Sequence, residues 1–239
     1  MSDFVNAYRT GDLFWSIQFL RNLEGQHNLY CRPDFSDFLA EYVAGTNITL
    51  LPIEGHPDTC IDLWIGSGSN EFNWYSHHCP KDLMGFLVEF YGHICDRLGV
   101  KRVITNRRQL LATGIEPHLD TPSFDILMID ADPQSSQCEK YAPDEMVALV
   151  AKLRQRYTVQ TVKGQGLTLM DIGRLSHRAK VIAGVATGPM WMCLNEDTIW
   201  RPRMLVLDQA YLDYKWGTPI QHFADVAELE MGFHAMDWL

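Results

Sequence analysis

A surplus of basic residues is the first thing this sequence lacks: 20 Lys and Arg stand against 30 Asp and Glu in 239 residues, a formal net charge of −10. Indiscriminate binding to nucleic acid or anionic membrane rests on a cationic excess that neutralises phosphates, so that role is excluded while a local basic groove is not. No apolar run reaches the roughly 18–20 residues of a membrane-spanning helix. The opening MSDFVNAYRTGD also lacks the basic-then-apolar order of a signal peptide. A cytoplasmic protein without a membrane span is expected. The six cysteines (Cys31, Cys60, Cys79, Cys95, Cys138 and Cys193) form no CxxC pair and no regular framework, which predicts reduced packing thiols rather than a disulfide scaffold. His77-His78 beside Cys79 has no second ligand cluster at zinc-finger spacing, so no metal is expected. Gly66-Ser67-Gly68-Ser69 lacks the full GxGxxG or GKS/T pattern and predicts a flexible cleft loop rather than a nucleotide fingerprint. Solenoid-length repeats and low-complexity tracts are absent too.

What is present is a foldable composition, 46% hydrophobic and 21% charged, and an alternation of short apolar runs with longer amphipathic ones. Strands are predicted at 4–8, 27–32, 48–53 and 60–66, with helices at 13–23, 35–43 and 81–99. Residues 107–123, with Gly114, Pro117 and Pro122 and no clear period, read as a crossing between two halves. The second half opens on the cleanest strand, FDILMID at 124–130. A helix at 143–157 follows, with Pro143 in its first turn, acidic residues at its start and basic ones toward its end. Strands at 159–162, 180–185 and 203–208, a helix at 167–179 and a helical tail complete it. This order favours parallel sheets with helices on their faces, in two consecutive α/β halves with a cleft between them.

Parallel sheets bind ligands at the carboxyl ends of their strands, where loops enter helix N-termini. Three such loops carry candidate residues: Thr10-Gly11-Asp12, the segment from Ser135 through Ser136 to Lys140, and Thr187-Gly188-Pro189. Each has a plain structural explanation when taken alone. Asp12 caps a helix, Gly188 and Pro189 start one, and Lys140 is a solvated lysine. Lys101, Arg102, Arg107 and Arg108 form the densest basic cluster, either a solvated face or a patch for an acidic acceptor. Phe72, Trp74 and Tyr75 read as core, in a position that also suits sugar stacking.

The three loops taken together resemble glycosyltransferase family 9, typified by bacterial heptosyltransferases. Gly11-Asp12 leads straight into the amphipathic helix Leu13 to Leu23, and a strand with the turn Arg32-Pro33-Asp34 follows. Glu139-Lys140-Tyr141-Ala142-Pro143 is similar to the family's lysine-bearing loop. Leu169 to Ser176, followed by Val181 to Gly188, is similar to its helix-strand-Thr-Gly unit. The resemblance extends to about Asn195. It implies a GT-B architecture, two Rossmann-like domains facing across a cleft, with an acceptor-side domain at 1–118 and a nucleotide-sugar-binding domain at 119–239. It implies Asp12 as general base, Lys140 against the donor diphosphate, and Thr187 with the N–H groups near Gly188 on a phosphate, with Ser136 a further phosphate candidate. Gly11, Trp74, His77 and His78 are acceptor-side candidates. The family's acidic residue before Thr-Gly and its histidine three residues after the Gly are replaced by Ala186 and Trp191, a departure that points to a donor sugar other than heptose or to a ring stacked on Trp191. A chain shorter than typical members points to trimmed loops and a different acceptor.

The expectation is a cytoplasmic glycosyltransferase, hexosyl- or heptosyl-transferring, that moves a sugar from a nucleotide-diphosphate-sugar co-substrate to an unidentified acceptor hydroxyl. Inversion, no metal and no permanently bound cofactor are expected. Two alternatives stay open: a non-catalytic GT-B-like module that binds a nucleotide or glycan, and a glycosyltransferase acting on modified DNA bases.

Overall fold

Short, doubly buried apolar strands cannot stand alone, and in this chain they pair in parallel. In the computed structural model, residues 2–8, 10–65, 83–111, 113–116, 123–133, 138–195, 198, 200–206 and 220–235 are described. They fall into two compact units, Met1–Thr113 and Gly114–Leu239. Unit 1 runs β1 (Ser2–Val5), α1 (Thr10–Asn22), β2 (His27–Cys31), α2 (Pro33–Val43), β3 (Ile48–Pro52), β4 (Ile61–Asp62), α3 (Leu83–Leu98) and α4 (Arg107–Leu111). Unit 2 runs β5 (Phe124–Ile129), α5 (Pro143–Leu153), β6 (Val159–Thr161), α6 (Leu169–Ser176), β7 (Ala179–Val185), α7 (Gly188–Met192), β8 (Arg203–Val206), β9 (Ile220–Phe223) and α8 (Val226–His234).

Each unit carries one all-parallel sheet, in the order β3-β2-β1-β4 and β6-β5-β7-β8-β9. In both sheets the first strand of the unit lies inside, so the chain winds outward in both directions from it. The two switch points of strand order are β1/β4 and β5/β7.

The core of unit 1 forms around α1, which is buried at every position from Leu13 to Leu20. A helix hidden all round must satisfy its polar side chains internally. Ser16 is bonded by Asn6, and Gln18 donates to the Tyr42 hydroxyl. Arg21 donates to the carbonyls of Thr113 and Tyr42 while its guanidinium lies 3.9 Å from the Tyr42 ring centroid. Burial lowers the Arg21 pKa and raises that of Tyr42. Residues 66–82 lie outside the described set, whereas α4 gives helical form to Arg107–Leu111, in the segment read from sequence as irregular. Leu110 and Leu111 are both buried, which supplies the reason.

In unit 2, helix α6 begins at Leu169 because Thr168 and Asp171 form a reciprocal capping box. The segment entering the unit is tied to it: His177 bonds the Ile115 carbonyl at 2.9 Å, and Gly173 leaves the space that Ile115 fills. Helix α5 stops at Leu153, and Lys152 near its end pairs with Glu230 of α8 at 2.7 Å.

The tightest approach lies between β5 and β7. Gly184 has φ +127, a conformation open to glycine, and a Cβ there would overlap the Ile129 carbonyl oxygen. Gly184→Ala is therefore expected to lower the unfolding free energy by about 2 kcal/mol or more, since a strained φ and a backbone clash add. Denaturant titration of unit 2 signals checks this, and an unchanged midpoint contradicts it.

His27, buried at the start of β2 and edge-on to Phe4, has a pKa lowered from 6.5 chiefly by burial, with the Leu23 and Glu24 backbone opposing. A depressed folded value means the unfolded chain binds more protons below 6.5. The stability due to neutral His27 is complete above that pH and is lost as pH falls through it toward the folded value. His27→Gln is expected to flatten that part of a melting-temperature profile against pH, and an identical slope in both proteins contradicts the assignment.

Candidate functional site

In sheet 2 the loops after β5 and β7 emerge side by side at the carboxyl edge, at the switch point where open α/β sheets hold their ligands. Cys138, in the loop after β5, ties them together. Its buried Sγ lies 3.7 Å from the Ala186 carbonyl and 3.8 Å from that of Val206, the end of β8. Lys140, two residues on, is exposed, and Tyr141 is buried. Burial raises the Tyr141 phenol, and the charges of Asp130, Asp132 and Cys138 raise it further. Asp130 itself is occupied: its Oδ1 accepts the N–H groups of Val162 and Lys163 at 2.9 and 2.8 Å, and Lys163 Nζ pairs with Asp132 at 2.6 Å. Asp130 and Asp132 are thus engaged by the loop after β6.

Thr187 is the N-cap of α7 in position but not in bonding. Its side chain makes no capping hydrogen bond, and its Oγ1 is buried with no hydrogen-bond partner among the described residues. Pro189 has no N–H, and Met190 N–H donates to Thr187 O at 2.9 Å. A five-residue helix with its donors so spent has little dipole to offer. The threonine hydroxyl and the Gly188 N–H are what this turn presents. Ala186 and Trp191 border a shallow recess completed by Met190, Leu194, Leu205 and Ile220, so the wall beside the turn is apolar.

In sheet 1 the corresponding edge lies after β1 and β4. Asn6, fully buried, follows β1 and holds the turn from both sides: its Nδ2 donates to Ser16 Oγ at 2.9 Å, and its Oδ1 accepts Tyr8 N–H at 3.0 Å. Ser16 Oγ donates to the Asp12 carbonyl at 3.2 Å. Asp12 is half-buried in the first turn of α1, directly after Gly11. Beneath it the buried Tyr91 phenol is pushed far up by burial, against a hydrogen bond with Ser16, and Asp12's charge raises it further.

The structure therefore places Lys140, Thr187, Gly188 and Trp191 on the edge of sheet 2 and Gly11 and Asp12 on the edge of sheet 1. Ser136, Trp74, His77 and His78 lie outside the described residues. Asn6, Tyr8, Asp62, Trp64 and Cys138 were not singled out from sequence; an Asn or Asp two residues before an aromatic at a strand's end was the available signal. The basic cluster is partly neutralised, because Arg102 pairs with Asp96 at 2.7 Å and Glu89 at 3.3 Å. Among the described residues no group of three or more His, Cys, Asp or Glu side chains converges as a metal site.

Several solved structures share this arrangement of sheets. E. coli heptosyltransferase WaaC with ADP aligns at a TM-score of 0.61 with 12% identity, over 98% of this chain and 97% of that one. The chain has the heptosyltransferase-like fold of glycosyltransferase family 9. A family 9 glycosyl transferase from Veillonella parvula aligns at 0.50 with 12% identity, over 99% of this chain and 89% of its own. TibC of enterotoxigenic E. coli, a dodecameric iron-containing heptosyltransferase solved with ADP-D-beta-D-heptose, aligns at 0.50 with 17% identity over 92% of this chain. The chain spans 61% of the length of TibC. No protein-family model matches the chain, and no curated protein does. No helix among the described residues is long and apolar enough to cross a membrane.

Proposed function

We propose that the chain is a GT-B-type glycosyltransferase that moves a sugar from a nucleotide-diphosphate donor to an acceptor hydroxyl by inverting, metal-independent displacement. Unit 2, expected from sequence to span 119–239, binds the donor, and unit 1, expected to span 1–118, serves the acceptor. The observation that carries this reading is the buried Thr187 hydroxyl, without a partner among the described residues, on the loop that Cys138 ties to the Lys140 loop, in a fold shared with enzymes solved with ADP or ADP-heptose.

The chemistry follows from where charge develops. The acceptor oxygen forms its bond to the anomeric carbon while the bond from that carbon to the diphosphate breaks, and the electron pair leaves with the phosphate oxygen. Asp12 takes the acceptor proton, which makes the oxygen a competent nucleophile. The Lys140 ammonium, the Thr187 hydroxyl and the Gly188 N–H stabilise the departing charge. The apolar wall at Ala186 and Trp191 lies beside this turn, and in this reading Trp191 stacks on the sugar or the base.

That same apolar wall favours one second reading. With neither carboxylate nor imidazole at positions 186 and 191, a module that binds a nucleotide-sugar without transferring it has the same geometry. Slow hydrolysis of the donor in the absence of acceptor separates the two, since a binder releases no nucleotide.

Asp12→Asn is expected to keep the fold and nucleotide affinity while lowering transfer about 10²- to 10⁴-fold; full activity removes the base assignment. Lys140→Ala is expected to weaken nucleoside-diphosphate binding about tenfold or more by calorimetry, the scale of a lost charge-assisted hydrogen bond. Unchanged affinity contradicts that role.

A further inference from the structure

The chain passes from unit 1 to unit 2 between Thr113 and Gly114, and it is anchored on both sides of that step. Thr113 is buried, and its carbonyl accepts from Arg21 Nη1 of α1 at 2.7 Å. Arg21 is held in turn by the Tyr42 carbonyl and by the Tyr42 ring, whose centroid lies 3.9 Å from the guanidinium carbon. The Thr113 N–H donates to the Leu111 carbonyl at 2.9 Å. Unit 1 thus holds the chain up to the last peptide before Gly114. Unit 2 takes hold one residue later. Ile115 is buried, and its carbonyl lies 2.9 Å from His177 Nε2, which carries the proton because a carbonyl only accepts. The Ile115 side chain fills the space at Gly173, where a Cβ would come within 2.7 Å of its Cδ1.

Between these two buried residues Gly114 is exposed. It has φ +67, and nothing lies within 4 Å of the position a Cβ would take. The anchors on either side leave few torsions free. The peptide plane joining Thr113 to Gly114 moves with unit 1 because its carbonyl is bonded there. Ile115 moves with unit 2, which holds both its carbonyl and its side chain. What lies between is the φ and ψ of Gly114, and glycine passes between the left- and right-handed regions without the cost a Cβ imposes. Rotation there breaks none of the bonds just named. Hinges between packed bodies are short segments of this kind, in which a few residues absorb the φ/ψ change.

We propose that Gly114 is a single-residue pivot about which the two units reorient, and that Arg21 and His177 are the side chains that confine the motion to it. The pivot goes beyond the transferase reading and stands without it.

Pulsed electron-spin distance measurement on the full chain tests it, with the labels carried on p-acetylphenylalanine so that the cysteines stay native. Labels at Ala40 of α2 and Ala148 of α5, both exposed, report between the units, and labels at Ala40 and Arg97 of α3 report within unit 1. The between-unit distribution is expected to be broader than the within-unit one. A rotation of about 15° moves a label about 20 Å from the pivot by about 5 Å. Gly114→Val, a β-branched residue that rarely takes positive φ, is expected to shift the between-unit mean by about 5 Å. Gly114→Asn, which accepts that region, is expected to keep the mean and narrow the spread. Arg21→Met, which releases the Thr113 carbonyl, is expected to broaden it. Gly99→Val places the same strain at φ +68 inside unit 1 and is expected to change neither mean nor spread. Circular dichroism establishes that each variant is folded, and Gly114→Asn decides the matter where Gly114→Val is not. A wild-type between-unit distribution as narrow as the within-unit one, an unchanged mean in folded Gly114→Val, an unchanged spread in Gly114→Asn or Arg21→Met, or an equal shift in Gly99→Val overturns the proposal.

Discussion

The Ile129 carbonyl oxygen occupies the place where a side chain on Gly184 begins. That contact lets β7 lie against β5 over five register pairs, Phe124↔Ala179 through Ile129↔Gly184, and so brings the chain out of the sheet two residues before Thr187. The consequences run forward in sequence. Ala186 N–H bonds Val206 O, its own carbonyl meets Cys138, and Thr187 is left with a buried hydroxyl that nothing in the described chain satisfies. A buried polar atom without a partner is costly, and its persistence at the carboxyl edge of a parallel sheet makes sense when a ligand completes it.

Unit 1 reaches an equivalent arrangement by different means. A buried asparagine organises its switch point. Asn6 spends both ends of its amide, one on the Tyr8 turn and one on Ser16 in α1, so the loop carrying Tyr8 and the helix carrying Asp12 are referred to one side chain. The two units thus divide the chemistry by charge. The edge of sheet 2 offers a lysine and a hydroxyl with its nearby aspartates engaged, which suits a departing phosphate. The edge of sheet 1 carries the Asp12 carboxylate, which the proposed reading assigns to an acceptor hydroxyl.

Much of this was legible in the sequence because parallel strands buried on both faces are continuous apolar runs, and FDILMID and KVIAGV stand out as such. The turn residues Gly11-Asp12 and Thr187-Gly188-Pro189 were visible for the same reason: they interrupt apolar runs abruptly. Less legible was where strands stop. FVNAY was read as strand through Tyr8, yet β1 ends at Val5 because Asn6 turns its amide onto the backbone. Residues 60–66 were read as one strand, yet β4 is only Ile61–Asp62 because Asp62 does likewise. Side-chain capture of the backbone two residues on is invisible to hydrophobic periodicity. Both misjudged ends hid the same feature, the stacked Tyr8–Trp64 pair counted among strand residues.

The most direct measurement is a thermal-shift titration of the intact chain with nucleoside diphosphates and their sugars, because a ligand that binds only the native state raises its melting temperature. The account predicts that one of them raises the melting temperature by about 5 °C or more at a hundredfold excess over its Kd. A flat melting temperature across the whole series contradicts a nucleotide-sugar site at Lys140 and Thr187.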